Sequence, residues 1–269
     1  MKNYFKRLKN FLRKYFELSK LFFLKKMEFD ESNLSKKIDV QKILNDENVH
    51  NLFFENKNIL SKIDIPSLSG GVNIGDQRTI YYLLSSLKPK SILEIGTHLG
   101  SSTISIALAT KNYSTNAMID TVDIHDVNDP KKEFWKKFGS KNSAKNNLKT
   151  IKLDHIVTFH ISDSISFLKS SIKKYDFIFL DGSHSADYVY QEIMLSLKKL
   201  NNDGVILLHD YFHEGKEIWE GKLPIYGPYI AVKKILKENK KICIDPLIEV
   251  PWHTKLSTNK SSLAVLYKQ

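Results

Sequence analysis

The chain predicts an α/β fold: a doubly wound, seven-stranded, mostly parallel sheet with helices on both faces, preceded by an N-terminal helical extension. From Ser91 onward, short apolar runs alternate with helical patterns, which is the signature of strands joined by crossover helices. Five of these runs end at or near an acidic residue: Glu94, Asp123, Asp163, Asp181 and the pair His209-Asp210. Length and composition set the scale. At 269 residues and 42% hydrophobic content, the chain can bury a sizeable core as one domain with appendages or as two small domains.

Three segments are expected: an amphipathic helix over 1–27, a helical lead-in or linker over 28–69, and the main domain over 70–269. In the first, Tyr4, Phe5, Leu8, Phe11, Leu12, Tyr15, Phe16, Leu18, Phe22 and Phe23 share one side of a helical wheel, and Lys2, Lys6, Arg7, Lys9, Arg13, Lys14 and Lys20 share the other. Charges interrupt it too often for a signal peptide. Residues 1–26 hold nine basic residues and one acid, Glu17; this net +8 leaves only +3 of the total +11 for the rest. A nucleic-acid-coating surface is therefore not indicated. The arm suits peripheral contact with an anionic bilayer, packing on its own domain, or contact with a second copy of the chain in a homo-oligomer.

Pro66 to Gly75 is rich in turn formers (Ser67, Ser69, Gly70, Gly71), and Asp76 is placed to cap a helix over Gln77–Leu87. Lys88-Pro89-Lys90 ends that helix. Strands are expected at Ser91–Ile95, Ala117–Val122, Ile156–Phe159, Tyr175–Leu180 and Val205–Leu208, with a final pair at Ile242–Ile244 and Ala264–Tyr267. Helices are expected at Thr103–Ala109, Ser164–Ile172, Tyr188–Leu200 and Ile230–Glu238. One cysteine, Cys243, excludes an internal disulfide and any Cys-based zinc site, and fits a reducing, cytoplasmic compartment. No stretch of about 18 apolar residues is present for a spanning helix.

Ligands of such sheets sit beyond the carboxyl ends of the strands. Ile92-Leu93-Glu94-Ile95-Gly96-Thr97-His98-Leu99-Gly100-Ser101-Ser102-Thr103 reads as strand, tight glycine-bearing loop and helix start. Dinucleotide loops usually read G-x-G-x-x-G around a pyrophosphate. Here Glu94 precedes a G-x-x-x-G spacing, and a carboxylate suits a ligand carrying positive charge. Asp123 lies 29 residues after Glu94, at the second strand end, where a carboxylate accepts two ribose hydroxyls; Asp120 and Asp126 are weaker competitors. Asp163-Ser164 suits an adenine amine or a helix cap. Asp181 and Asp210 should end adjacent strands, where two close carboxylates call for a cation between them. His209 could add a nitrogen ligand or orient Asp210. His184 can face the same cavity as a general base.

Glu94 through Gly100 resembles motif I of the class I S-adenosylmethionine-dependent methyltransferases, which share a Rossmann-like fold. Asp181-Gly182-Ser183-His184, with Gly204-Val205 and His209-Asp210 after it, resembles the small-molecule O-methyltransferases that include macrolide-sugar and surface-glycan enzymes, and more distantly the catechol type. Gly71-Val72-Asn73-Ile74-Gly75-Asp76 is similar to the segment preceding motif I in the catechol type. The resemblance spans about residues 70–269. It implies that Glu94, Gly96, Thr97, Gly100, Ser101 and Ser102 hold the methionine part of the cofactor, that Asp123, Asp163, Ser164 and Asp181 hold its remainder, that Asp181 and Asp210 bind Mg²⁺ or another divalent cation, and that His184 is the base; His209 is counted as a further metal ligand on its position beside Asp210 alone. Macrolide-sugar enzymes tend to carry a second acid where this chain has His209. A sugar or other small-molecule hydroxyl is the expected acceptor. An RNA or protein methyltransferase docked through the basic arm, and a hydroxylase-like or non-catalytic relative, are the alternatives.

Overall fold

The computed structural model describes residues 2–60, 62–63, 65–66, 71–114 and 116–269, with residues 2–7 and 57 described by backbone alone. Ser67, Ser69 and Gly70 of the expected turn lie outside the described residues. Helix α1 (Lys2–Phe22) is followed by α2 (Val40–Leu44), α3 (Glu47–Leu60) and α4 (Ile74–Leu87). The alternating part then runs β1 (Ser91–Ile95), α5 (Ser101–Lys111), β2 (Met118–Asp123), α6 (Ala144–Thr150), β3 (Val157–Ile161), α7 (Ser164–Ser170), β4 (Tyr175–Leu180), α8 (Ala186–Lys198) and β5 (Leu200–Leu208). It closes with α9 (Tyr226–Glu238), β6 (Ile242–Pro246) and β7 (Ala264–Lys268).

The seven strands form one sheet in the order β3-β2-β1-β4-β5-β7-β6. β1 through β5 are parallel, and β7 pairs antiparallel with both β5 and β6. The chain reverses its winding at β1, between β2 and β4, which opens a crevice at the carboxyl ends of those strands. Parallel strands covered on both faces read as near-continuous apolar runs. Phe177, Ile178 and Phe179 are accordingly all buried, and one core lies on each face of the sheet.

The lead-in is sewn onto this body. Ser35 N–H donates to Gly204 O, Gly204 N–H to Asn33 O, and Lys268 N–H to Ser35 O. Val40, Leu44 and Val49 join the core that also holds Tyr81, Ile92 and Phe177. α4 is capped by Asn73, whose Oδ1 accepts from the N–H groups of Gly75 and Asp76. Asp76 was the expected cap but stands inside the first turn, fully buried, with its Oδ2 accepting from Asn73 Nδ2 at 2.6 Å. A cap must precede its helix, so the reciprocal Asn73–Asp76 pair starts α4 three residues upstream of the expected point.

α1 docks on α8 and α9 by the edge that carries Glu17, Lys20 and Leu21. Leu21 is buried and Leu24 packs against the same core. The opposite face is turned outward: Phe11, Leu12, Tyr15, Phe16 and Phe22 are all more than half exposed. Side chains of Lys2, Tyr4, Phe5, Lys6 and Arg7 lie outside the description. No helix among the described residues is long and apolar enough to cross a membrane.

Candidate active site

Gly96, Asp181 and His209 stand level across three strands because the ladder continues one step past each strand end. Gly96 N–H donates to Val122 O, Asp181 N–H to Ile95 O and His209 N–H to Leu180 O, at 2.8–3.0 Å. Gly96 has φ +100°, and a Cβ there would lie 2.1 Å from Asp181 O, so no other residue fits the turn. Above this row lies a cavity of about 440 Å³, lined among others by Gly96, His98, Asp123, Asp163, Asp181 and His184. A cavity of similar size at His50, Arg78 and Trp252 lies away from the strand ends.

Asp123 sits where the ribose reading places it. Its Oδ2 accepts from His98 N–H and its Oδ1 from His125 N–H, both at 2.9 Å. Each oxygen keeps a lone pair for a further donor. The first of these bonds requires the left-handed turn at His98, φ +48°. Asp120 is unavailable: it is buried and bonded to His160, Lys173 and Tyr175. Asp163 lines the cavity and also caps α7 through Ser166 N–H. Ser164 Oγ donates to Glu192 Oε1 at 2.5 Å, and both residues line the cavity.

Motif I is divided. Gly96 faces the cavity, whereas Glu94, Thr97, Gly100, Ser101 and Ser102 are not among its lining residues. Glu94 is fully buried; its Oε2 accepts from Thr103 and Thr121 at 2.5 and 2.6 Å, and Thr121 also bonds Thr97. It thereby ties β1, β2 and α5 together beneath the loop. Burial pushes its carboxyl up to about 7. Gly100 is the residue before α5, in the left-handed conformation against Ala144. Ser101 and Ser102 open α5 and are buried.

Asp181 and Asp210 stand at the ends of adjacent strands β4 and β5. The ligand atoms of Asp181, His184 and Asp210 lie within 4.8 Å of one another. His184 Nε2 is 2.9 Å from Asp210 Oδ2, and this bond raises the proton affinity of the ring above its ordinary value. His209 is placed differently. Its Nδ1 lies 2.8 Å from Asp181 Oδ1 and 3.7 Å from Asp210 Oδ1, and its Nε2 is 3.5 Å from the buried Asp76. Burial opposes charge on this ring, but Asp181 and Asp210 outweigh burial and raise its pKa well above normal. Burial opposes ionisation of Asp210 as well; His209 and His184 nevertheless bring its carboxyl down to about 2. Asp210 adopts φ +52°, a conformation Asp tolerates and one that concentrates at functional sites.

The two carboxylates, Asp181 and Asp210, offer oxygen donors that fit a divalent cation. The cavity also fits a polar organic ligand, because His98, which lines it, has a buried Nδ1 with no hydrogen-bond partner. His98 and Glu192 line the cavity without a role read from the sequence, beside Tyr188. Burial lowers the pKa of His98 and pushes the Glu192 carboxyl up to about 7. Glu192 had a visible cue: an acid one helical turn past Tyr188 within an otherwise apolar helix face.

Residues 93–211 match a family of proteins described as "Methyltransferase domain". No curated protein sequence matches the chain. Solved structures share the fold at low identity. The O-methyltransferase TomG of Streptomyces achromogenes, involved in tomaymycin synthesis and solved with S-adenosylmethionine, is 17% identical; the match covers 91% of this chain and 100% of that one, with a TM-score of 0.55. An O-methyltransferase of Bacillus cereus bound to S-adenosylhomocysteine is 16% identical over 83% of this chain and 91% of that one, TM-score 0.54. The methyltransferase PaMTH1 of Podospora anserina, also bound to S-adenosylhomocysteine, is 19% identical over 89% and 92%, TM-score 0.53. Residues 93–211 thus match a methyltransferase domain, and the chain shares the fold of these solved structures.

Proposed function

We propose that the chain is an O-methyltransferase that transfers the methyl group of S-adenosylmethionine to a hydroxyl of a sugar or other small molecule with the help of a divalent cation. The observation that carries this reading is the cluster of Asp181, His184 and Asp210, which lines the same cavity as Asp123. Asp123 suits the two ribose hydroxyls, and Asp163 or Ser164 the adenine amine. Gly96 allows the ligand to approach the backbone. When bound, the cofactor supplies an electrophilic methyl group, and a cation on Asp181 and Asp210 would lower the pKa of an acceptor hydroxyl and orient it. His184 then takes the hydroxyl proton. Asp210 holds this ring through Nε2, which leaves Nδ1 for the transfer. His209 balances the two carboxylates against the buried Asp76.

The test is methyl transfer from labelled S-adenosylmethionine to a panel of sugar nucleotides. EDTA should stop it, and Mg²⁺ or Mn²⁺ should restore it. Full activity in EDTA rejects the cation; activity on RNA or protein alone rejects the small-molecule acceptor.

α1 extends the reading. Its docked edge holds Glu17 and Lys20 beside the buried Leu21, while its aromatic face is turned outward. Charge complementarity with the arm's net +8 favours an anionic bilayer as the occupant of that face, at the inner surface of a membrane.

A further inference from the structure

His184 lines two cavities. One is the cavity at the strand ends; the other, of about 460 Å³, has α1 as its opposite wall and is bounded by Arg13, Phe16, Glu17, Lys20, Ser185 and Tyr226. α1 is fixed there by its single acid. Glu17 Oε2 accepts the N–H of Ala186, the first residue of α8, at 2.8 Å, and a carboxylate is favoured at a helix N-terminus. Glu17 Oε1 holds Lys20 Nζ at 2.7 Å, and Lys20 also donates to Ser185 Oγ at 2.9 Å. Glu17 is thus fully engaged in docking. Arg13, one turn earlier on the same edge, has no carboxylate partner among the described residues, and its charge reaches Tyr226. Gly227 lets α9 close the cavity, since a Cβ there would lie 1.9 Å from His184 O.

Given the methyltransferase reading on which this rests, the hydroxyl that reaches His184 must enter from the side the cofactor does not fill. We propose that the second cavity receives the acceptor, and that Arg13, helped by Lys20, holds a phosphate group carried by that acceptor. A guanidinium fork matches phosphate oxygens in geometry and charge, and Lys20, whose charge is paired with Glu17, has one remaining N–H to donate. Phe16 and Tyr226 flank the site with aromatic surface. The arm outside the matched residues 93–211 would then be part of the substrate site.

The probe is glucose 1-phosphate, added to full-length protein loaded with S-adenosylhomocysteine. Arg13 is exposed, so Arg13→Glu and Arg13→Lys should fold. Calorimetry should give measurable affinity in the wild type, at least a tenfold loss in Arg13→Glu, and partial retention in Arg13→Lys. The ring resonances of His184 should shift on addition of the probe in the wild type and not in Arg13→Glu. Glucose itself should bind at least tenfold more weakly. Competition by phosphatidic acid vesicles, absent with phosphatidylcholine, would assign the phosphate to a lipid-borne acceptor; no competition would assign it to a free phosphate ester, and both support the proposal. Equal affinity of wild type and Arg13→Glu, or no affinity and no His184 shift, overturns it. If S-adenosylhomocysteine still binds in that case, the methyltransferase reading stands; if it does not, that reading has failed instead.

Discussion

Glu94→Gln should flatten the pH dependence of stability between pH 5 and 8. The Glu94 carboxyl is fully buried, with Oε2 bonded to Thr103 and Thr121, and burial, outweighing the hydroxyls of Ser102, Thr103 and Thr121, pushes it up to about 7 against 4.5 in the unfolded chain. Between these values the folded protein keeps a proton that the unfolded chain has lost. Stability must therefore fall as pH rises through this window and level off above about 7. A displacement of this size corresponds to roughly 3 kcal/mol over the whole window, of which about 2–3 kcal/mol falls between pH 5 and 8. Glutamine accepts the same two hydroxyls but cannot ionise. Its amide N–H group replaces the unpartnered Oε1, which costs about 1–3 kcal/mol at every pH and so cancels when two pH values are compared. Urea unfolding of both proteins at pH 5 and pH 8, without ligand, is the assay. The wild type should lose about 2–3 kcal/mol more than the variant on going to pH 8. Glu192, also raised to about 7, is present in both and drops out of the comparison. Identical pH dependence in the two proteins would refute the assignment of this proton to Glu94.

Four further outcomes follow from the geometry. His184→Ala should lower methyl transfer by roughly 10²–10⁴ while S-adenosylhomocysteine still binds, as measured by single-turnover kinetics and calorimetry; unchanged turnover would remove His184 as the base. Asp181→Asn and Asp210→Asn should each abolish the response of activity to added Mg²⁺ or Mn²⁺, and a retained response would place the cation elsewhere. Gly96→Ala should lose cofactor binding, because the new methyl collides with the Asp181 carbonyl; normal binding would show that the turn can move. Phe11→Asp and Phe22→Asp, both on exposed positions, should release the protein from anionic vesicles in sedimentation without lowering thermal stability, and indifference of the wild type to the vesicles would turn the face over to a protein contact.

The parallel strands were legible because each is an apolar run closed by a polar residue, and Tyr175–Leu180 was delimited correctly at both ends. Adjacency of Asp181 and Asp210 followed from strand order alone. Side-chain direction did not. Glu94, at the end of an apolar strand, is directed into the hydroxyls of Thr103 and Thr121, and nothing in the spacing E-x-G-x-x-x-G tells cavity from core. His209 was grouped with the carboxylates by its neighbour Asp210, yet its ring lies between Asp181 and Asp76, a residue 133 positions away in the chain. The arm shows the same limit. Periodicity divides Leu8–Phe22 into two faces but does not say which one docks; Glu17 decided it by capping α8, an interaction visible only when both helices are in place. Because Leu21 is buried, the arm is also less separable from the body than its sequence suggests.

Calorimetric titration of the purified full-length protein with S-adenosylhomocysteine, and of Asp123→Ala beside it, tests the central claim most directly. Asp123 keeps one free lone pair on each oxygen, facing the cavity at the end of β2. The wild type should bind, and the variant should bind about 1–3 kcal/mol more weakly, the cost of leaving buried hydroxyls unpaired. Tight binding of NAD with none of S-adenosylhomocysteine, or an Asp123→Ala titration indistinguishable from the wild type, would contradict it.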